Sequence, residues 1–135
     1  MARRNSSLGF MGMFGRSGDL RQLDAAFRAH DLHPALAPEG VKLAIVNLMK
    51  DHAGDEEPPA HAYLWVAGLF CYCALGSDAF GNANGPDKVA EAERRIEAAL
   101  EAEEGFDAEL ILPAVHARMI QPEIVERYDI SVGEA

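Results

Sequence analysis

The chain has 135 residues, of which 49% are hydrophobic and 25% are charged. This balance favours one globular domain with its own apolar core and excludes extensive disorder. The formal net charge of −10 argues against nucleic acid as a partner, because proteins bind phosphate groups through clustered lysine and arginine.

The N-terminal segment, residues 1–18, differs in charge from the rest of the chain. It contains Arg3, Arg4 and Arg16 and no acidic residue, which gives it a charge of +3. The rest of the chain contains the other 9 of the 12 basic residues and all 22 acidic residues, which gives it a charge of −13. The segment is rich in glycine and serine and has no helical periodicity, which predicts a flexible arm. A single helical domain is expected over residues 19–130, followed by a tail, 131–135.

The arm also carries large apolar side chains that are typical of an anchor peptide, namely Phe10, Met11, Met13 and Phe14. We expect these residues to dock on an acidic protein surface, of the same chain or of a neighbour, and to serve self-association or partner binding. Contact with an anionic membrane surface is a weaker alternative. Because glycines interrupt the apolar stretch, no signal peptide is predicted and a cytoplasmic location is expected.

Helical spacing of apolar residues begins at Asp19 and predicts a first helix that ends before Pro34. A second helix is predicted near residues 38–52, with Pro38 at its first position. The apolar face of this second helix is so wide that we expect neighbouring helices to surround it.

A third helix is predicted over residues 59–75, where Gly76 stops it before a short turn, 77–85. Its apolar stretch would be about 21 Å long, which is too short to span a bilayer, so no transmembrane segment is predicted. Cys71 and Cys73 lie in this stretch, about 200° apart around a helix, which suits neither a shared metal ion nor a disulfide. We expect both thiols to pack in the core.

A fourth helix is predicted over residues 86–104, with a charged outer side on which Glu91 reaches Arg94 and Arg95. Asp107 is expected to cap a fifth helix, in which Pro113 predicts a kink or a late start. A short final helix begins at Pro122. No stretch alternates with a period of two, so the fold class is all-α, an irregular bundle of five main helices plus a short C-terminal helix.

Two segments share a pattern of arginine, apolar, acidic and alanine residues: RQLDAAFRA (21–29) and RRIEAALEA (94–102). Each precedes a short break and another apolar helix. The simpler interpretation is that alanine-rich amphipathic helices resemble one another by composition alone. The alternative is a duplication, which would make the bundle two related helical hairpins.

Histidines and carboxylates are the candidates for a metal site. His30 and His33 are spaced to share a helix face, Asp31 stands between them, and His116 is a further ligand if the fold brings it near. A metal-binding protein or a metal-dependent enzyme is therefore one alternative function. Histidines near the end of a helix are also explained by its dipole, and no cofactor is expected.

The sequence contains no nucleophile elbow, phosphate loop or calcium loop, so no catalytic residue is assigned. A second alternative is a small-molecule binder whose pocket between helices is lined by aromatic residues of the third helix, namely Tyr63, Trp65, Phe70 and Tyr72. The interpretation that the residues favour most is a non-catalytic protein–protein interaction domain with the arm as its docking element.

The segments DLHPAL, CYCALG and QPEIVERYDI together resemble small helical bacterial proteins that have no assigned role. The resemblance covers most of residues 19–130. It implies a bacterial cytoplasmic protein, and it implies no activity, ligand or partner.

Overall fold

The computed structural model describes residues 7–54 and 56–130, with side chains from residue 18 onward. These residues form six α-helices and one 3-10 turn, and contain no β-strand. In chain order they are α1 (Ser7–Ala29), the 3-10 turn (Pro34–Leu36), α2 (Glu39–Ala53), α3 (Ala60–Asn84), α4 (Pro86–Ala102), α5 (Phe106–His116) and α6 (Pro122–Tyr128). The predicted all-α bundle of five main helices and a short C-terminal helix is confirmed. Its description as two related hairpins stays a prediction.

The first helix begins earlier than its periodicity indicates. α1 starts at Ser7 rather than at Asp19, because a glycine-rich segment can be helical without showing an apolar stripe. The backbone of the four anchor residues therefore belongs to α1, while their side chains lie outside the described residues. Residues 1–6 and the tail 131–135 lie outside them as well, and the flexibility of the arm stays a prediction.

The central element of the bundle is α3, which packs against α1, α4, α5 and α6. Its buried residues include Tyr63, Leu69, Phe70 and Tyr72. Phe27 of α1 stacks on Phe70 with 5.4 Å between the ring centroids. Burial of each such side chain stabilises the fold by about 1.5–3 kcal/mol, so α3 organises the core.

The end of α3 differs from the prediction. Gly76 does interrupt the helix, with φ 91° and ψ 166°, but Ser77 starts a further helical stretch instead of a turn. The loop before α6 closes this kink: the Gln121 backbone N–H donates to the Cys73 carbonyl at 2.9 Å, and its side-chain amide donates to the Ala74 carbonyl at 2.8 Å. Glu123 accepts from the Ser77 N–H at 2.6 Å. Both helix ends exposed by the kink are thus satisfied from outside the helix.

The prediction that helices surround α2 is wrong. α2 packs mainly against α1 and α5, and its buried residues are Ile45, Val46 and Met49. Ala44 is exposed on the same helix, and Leu112 of the facing α5 is 50% exposed. Among the described residues, α1 and α5 are the main neighbours of α2, and part of its apolar face borders an open groove.

Among the described helices, α3 is the one whose length and composition would allow it to cross a membrane. Half of the 18-residue window that meets this test is buried in the bundle. The central helix of a folded bundle has the same composition, so the evidence for a membrane span is weak.

Candidate functional site

The most elaborate polar arrangement in the described structure surrounds Arg95, which is 9% exposed. Its guanidinium donates to both carboxylate oxygens of Asp107, from Nε to Oδ2 at 2.9 Å and from Nη2 to Oδ1 at 2.8 Å. Nη1 donates to the Trp65 carbonyl at 2.7 Å. The side chain therefore ties α4 to α3 and α5 with charge-assisted hydrogen bonds.

Trp65 lies against the same guanidinium. The Arg95 Cζ atom is 4.0 Å from the centroid of the indole ring, in a cation–π arrangement. Despite this contact, Trp65 remains 47% exposed. A large aromatic side chain held in place by a buried arginine, and still open to solvent, is typical of binding surfaces.

Beside Trp65 lies a depression of about 630 Å³, which we call the Trp65 cleft. It is formed by the C-terminal ends of α2 and α4 and the N-terminal ends of α3 and α5. Its lining is mainly apolar and consists of Met49, His52, Ala53, Pro58, Pro59, Ala62, Trp65, Val66, Arg95, Ala98, Ala99, Ala102, Glu104, Gly105, Phe106 and Asp107. On one wall, the ring of His52 meets that of Phe106 edge to face at 5.0 Å between centroids.

Exposed glutamates are close in sequence to residues that line the Trp65 cleft. Glu104 is itself part of the lining, Glu56 and Glu57 precede the lining residue Pro58, and Glu101 and Glu103 flank the lining residue Ala102. The cation at the floor, Arg95, is neutralised by Asp107. A mainly apolar cleft with glutamates in and next to its lining segments suits an occupant that is apolar and positively charged.

The four predicted metal candidates are not brought together. Among the residues that the structure describes, no group of three or more histidine, cysteine, aspartate or glutamate side chains is placed to hold a metal ion. α1 ends at Ala29, so His30 and His33 do not share a helix face. Asp31 is exposed in a left-handed conformation, with φ 72°, and His116 is exposed at the end of α5.

His30 and His33 have structural partners instead. The His33 Nδ1 atom accepts from the Ala35 N–H at 3.1 Å and caps the 3-10 turn. His30 is buried, with Nδ1 3.1 Å from the Asn84 side-chain oxygen and Nε2 3.0 Å from the Leu64 carbonyl. The Asn84 amide nitrogen donates to the carbonyls of His30 and Phe80, which fixes its oxygen toward the imidazole.

The two cysteines are buried, as predicted: Cys71 is 0% exposed and Cys73 is 1% exposed. Burial raises the pKa of the Cys73 thiol to about 12 and raises the pKa of the Cys71 thiol as well. Both therefore remain protonated at neutral pH, and a thiol is a poor nucleophile and metal ligand.

The four aromatic residues assigned to a pocket have different positions in the described part of the structure. Tyr63, Phe70 and Tyr72 are buried in the core, where Tyr63 donates to Asp19 at 2.9 Å, whereas Trp65 lines the Trp65 cleft. Their apolar character alone could not separate these roles, since three side chains face the bundle axis and the fourth faces its surface.

Arg95 and Asp107 were assigned other roles from the sequence. Asp107 does not cap α5, which begins after Gly105 without a side-chain cap, and Glu91 pairs with Lys88 at 3.6 Å. A signal for Arg95 was present, because it lies three residues after Ala92 and four before Ala99, both of which belong to the buried seam. An arginine within an apolar seam indicates a buried partner.

The comparisons with known proteins give no relative: no family model, no curated protein and no solved structure matches this chain.

Proposed function

We propose that this chain is a non-catalytic protein–protein interaction domain of the cytoplasm, in which the N-terminal arm of one copy docks in the Trp65 cleft of another. The observation that carries the proposal is the half-exposed Trp65, held over Arg95 beside an apolar cleft. Tryptophan and arginine are the residue types that contribute most often to binding energy in protein interfaces.

The composition of the arm supports it as the occupant. The arm carries +3 with four large apolar side chains, and the cleft has a mainly apolar lining that includes Glu104 and adjoins segments with further exposed glutamates. Opposite charges on two surfaces guide their encounter and fix their orientation, while apolar burial provides affinity.

A second copy is favoured as the source of the arm because α1 is continuous from Ser7 to Ala29. Its anchor point is Asp19, whose carboxylate accepts from Tyr63 at 2.9 Å and lies 2.9 Å from the Lys50 ammonium group. The preceding helical residues extend about 18 Å from this point. Because the helix is unbroken, the arm keeps one fixed direction relative to the domain of its own chain. The arm of another copy is free of this restriction and can approach the cleft in any orientation. Mutual exchange of arms would form a closed dimer.

Sedimentation equilibrium tests the proposal on four versions of the chain: the full chain, a deletion of residues 2–17, Trp65→Ala and Leu36→Ala. The control residue Leu36 is 65% exposed and lies outside the cleft. We expect a concentration-dependent dimer for the full chain and for Leu36→Ala, and a dissociation constant at least tenfold weaker for the deletion and for Trp65→Ala. A monomer at all concentrations, or a dimer unaffected by both changes, would refute the proposal.

Cross-linking identifies which arm occupies the cleft. Chains carrying Phe10→Cys are mixed with chains carrying Ala98→Cys and treated with a short bis-maleimide, to which the buried Cys71 and Cys73 should not react. A cross-linked species of twice the chain mass, formed only in the mixture, is the expected result. If the double variant instead closes a link within one chain at every dilution, the arm occupies its own cleft. If vesicles of anionic lipid bind the arm while no link forms, a membrane surface is its partner.

A further inference from the structure

A second apolar depression lies between α2 and α5, on a different part of the surface from the Trp65 cleft. Its volume is about 710 Å³, and we call it the α2–α5 groove. Its lining residues are Pro38, Gly40, Val41, Ala44, Asn47, Leu48, Asp51, Glu109, Leu112, Pro113, His116 and Ala117. None of these residues lines the Trp65 cleft, so the groove is a separate surface.

The shape of the groove follows from helical spacing. Its α2 wall is a stripe of residues three or four positions apart, namely Val41, Ala44, Leu48 and Asp51. This stripe is about 15 Å long, by the rise per residue of a helix. On the α5 side the groove is lined by Leu112, which is 50% exposed. A groove of this length between two helices, with a large apolar side chain open to solvent, suits a third helix that lays its apolar face into it.

One end of the groove is negatively charged. The His52 ring lies 3.8 Å from the Glu109 carboxylate, which places the C-terminal end of α2 beside the first turns of α5. The exposed residues Asp51 and Glu109 therefore share one end of the groove. The two lysines of α2 are paired with aspartates of α1, as Lys42–Asp24 and Lys50–Asp19. Among the described residues, none forms an ion pair with Asp51, and no lysine or arginine lines the groove.

A backbone acceptor lies near the same end. Pro113 has no N–H, so it cannot donate to the Glu109 carbonyl four residues earlier in α5. Both residues line the groove, and this carbonyl oxygen is without its usual helical donor. Two carboxylates and a backbone carbonyl favour a cation with several N–H donors, such as the side chain of lysine or arginine.

We propose that the α2–α5 groove binds an amphipathic helix of another protein. The apolar stripe of this helix covers two to three turns and ends in a lysine or arginine that faces Asp51 and Glu109. The N-terminal arm does not fit this description, because its four anchor residues lie within residues 10–14, little more than one helical turn. The groove therefore serves a different partner from the one in the Trp65 cleft.

Fluorescence anisotropy with a labelled helical peptide tests the inference. The probe is a fluorescein-labelled peptide of leucine and lysine, about four turns long, whose leucines form one stripe of a helix. Its matched control has glutamate in place of lysine. We expect the full chain to bind the lysine peptide and to bind the glutamate peptide at least about tenfold more weakly. Leu112→Ser and Asp51→Lys should each weaken binding of the lysine peptide about tenfold.

Control variants make the same changes at exposed positions outside the groove. Leu36→Ser replaces a leucine that is 65% exposed, and Glu97→Lys reverses an exposed charge on α4. Both should bind the lysine peptide within about twofold of the unmodified chain, and so should Trp65→Ala, because one conservative contact elsewhere adds little to binding in the groove. Far-ultraviolet circular dichroism checks that each variant folds.

The inference is overturned if the unmodified chain does not bind the lysine peptide, or if it binds both peptides equally well. It is also overturned if the control variants weaken binding as much as Leu112→Ser and Asp51→Lys do. Sedimentation equilibrium of the same two groove variants identifies the remaining alternative. Both should self-associate as the unmodified chain does, and a weakened self-association would show that a second copy occupies the groove, which overturns the inference. Peptide binding does not depend on whether the arm docks in the Trp65 cleft.

Discussion

Replacement of Gly76 by alanine tests the account of the kink in α3. The Gly76 backbone, with φ 91° and ψ 166°, lies in a region that is open essentially to glycine, and an L-residue held there costs about 1–3 kcal/mol. The new Cβ atom would also be 2.9 Å from Glu123 Oε2, the oxygen that accepts from the Ser77 N–H. Loss of such a helix cap costs about 0.5–2 kcal/mol more.

Together these effects predict that Gly76→Ala lowers the free energy of unfolding by about 3 kcal/mol and Tm by about 10 °C for a domain of this size. Thermal and urea unfolding followed by circular dichroism at 222 nm provide the measurement. Gly68→Ala, eight residues earlier in the same helix, is the matched control. Because its backbone is helical and the methyl group meets only ordinary contacts, it should raise stability by about 0.5–1 kcal/mol. If Gly76→Ala unfolds within 2 °C of the unmodified chain, the reasoning about the kink is wrong.

Two further predictions concern the polar centre and the buried thiols. Asp107→Ala removes two charge-assisted hydrogen bonds from the buried Arg95 and should lower the free energy of unfolding, measured in urea, by about 3 kcal/mol. Glu91→Ala, at an exposed ion pair, should lower it by less than about 1 kcal/mol. Equal losses would contradict a structural role for the Arg95–Asp107 pair. Burial raises the pKa of the Cys73 thiol from 9.0 to about 12. The unfolded chain therefore loses this proton at a lower pH than the folded chain does. The stability that the protonated thiol contributes is lost as pH rises from about 9 to about 12. Between pH 8 and pH 10 the unmodified chain should therefore lose about 1 kcal/mol more stability than Cys73→Ala, as measured by urea unfolding at both pH values. Equal losses would show that the thiol is not buried in the folded state.

The amino-acid sequence predicted the helices of this protein because helix signals are local. Proline at the start of α4 and α6 and glycine after α2 mark boundaries that hydrogen bonding between nearby residues enforces. The burial of Cys71 and Cys73 also followed from the sequence, since a long apolar run in a small helical protein has to lie in its core. Where the local signal was weak, as in the glycine-rich start of α1, the predicted boundary was wrong.

Only the tertiary structure decided which residues meet across helices. Arg95 is separated from Asp107 by 12 positions and from Trp65 by 30, and no local pattern indicates that the three residues meet. The partners of Gly76 and His30 are also distant in sequence. The kink at Gly76 is completed by hydrogen bonds from Gln121 and Glu123, near the other end of the chain. The partners of His30 come from both halves of α3. Local spacing determines the helices. The Trp65 cleft depends instead on how long-range packing orients them, because its walls come from four different helices.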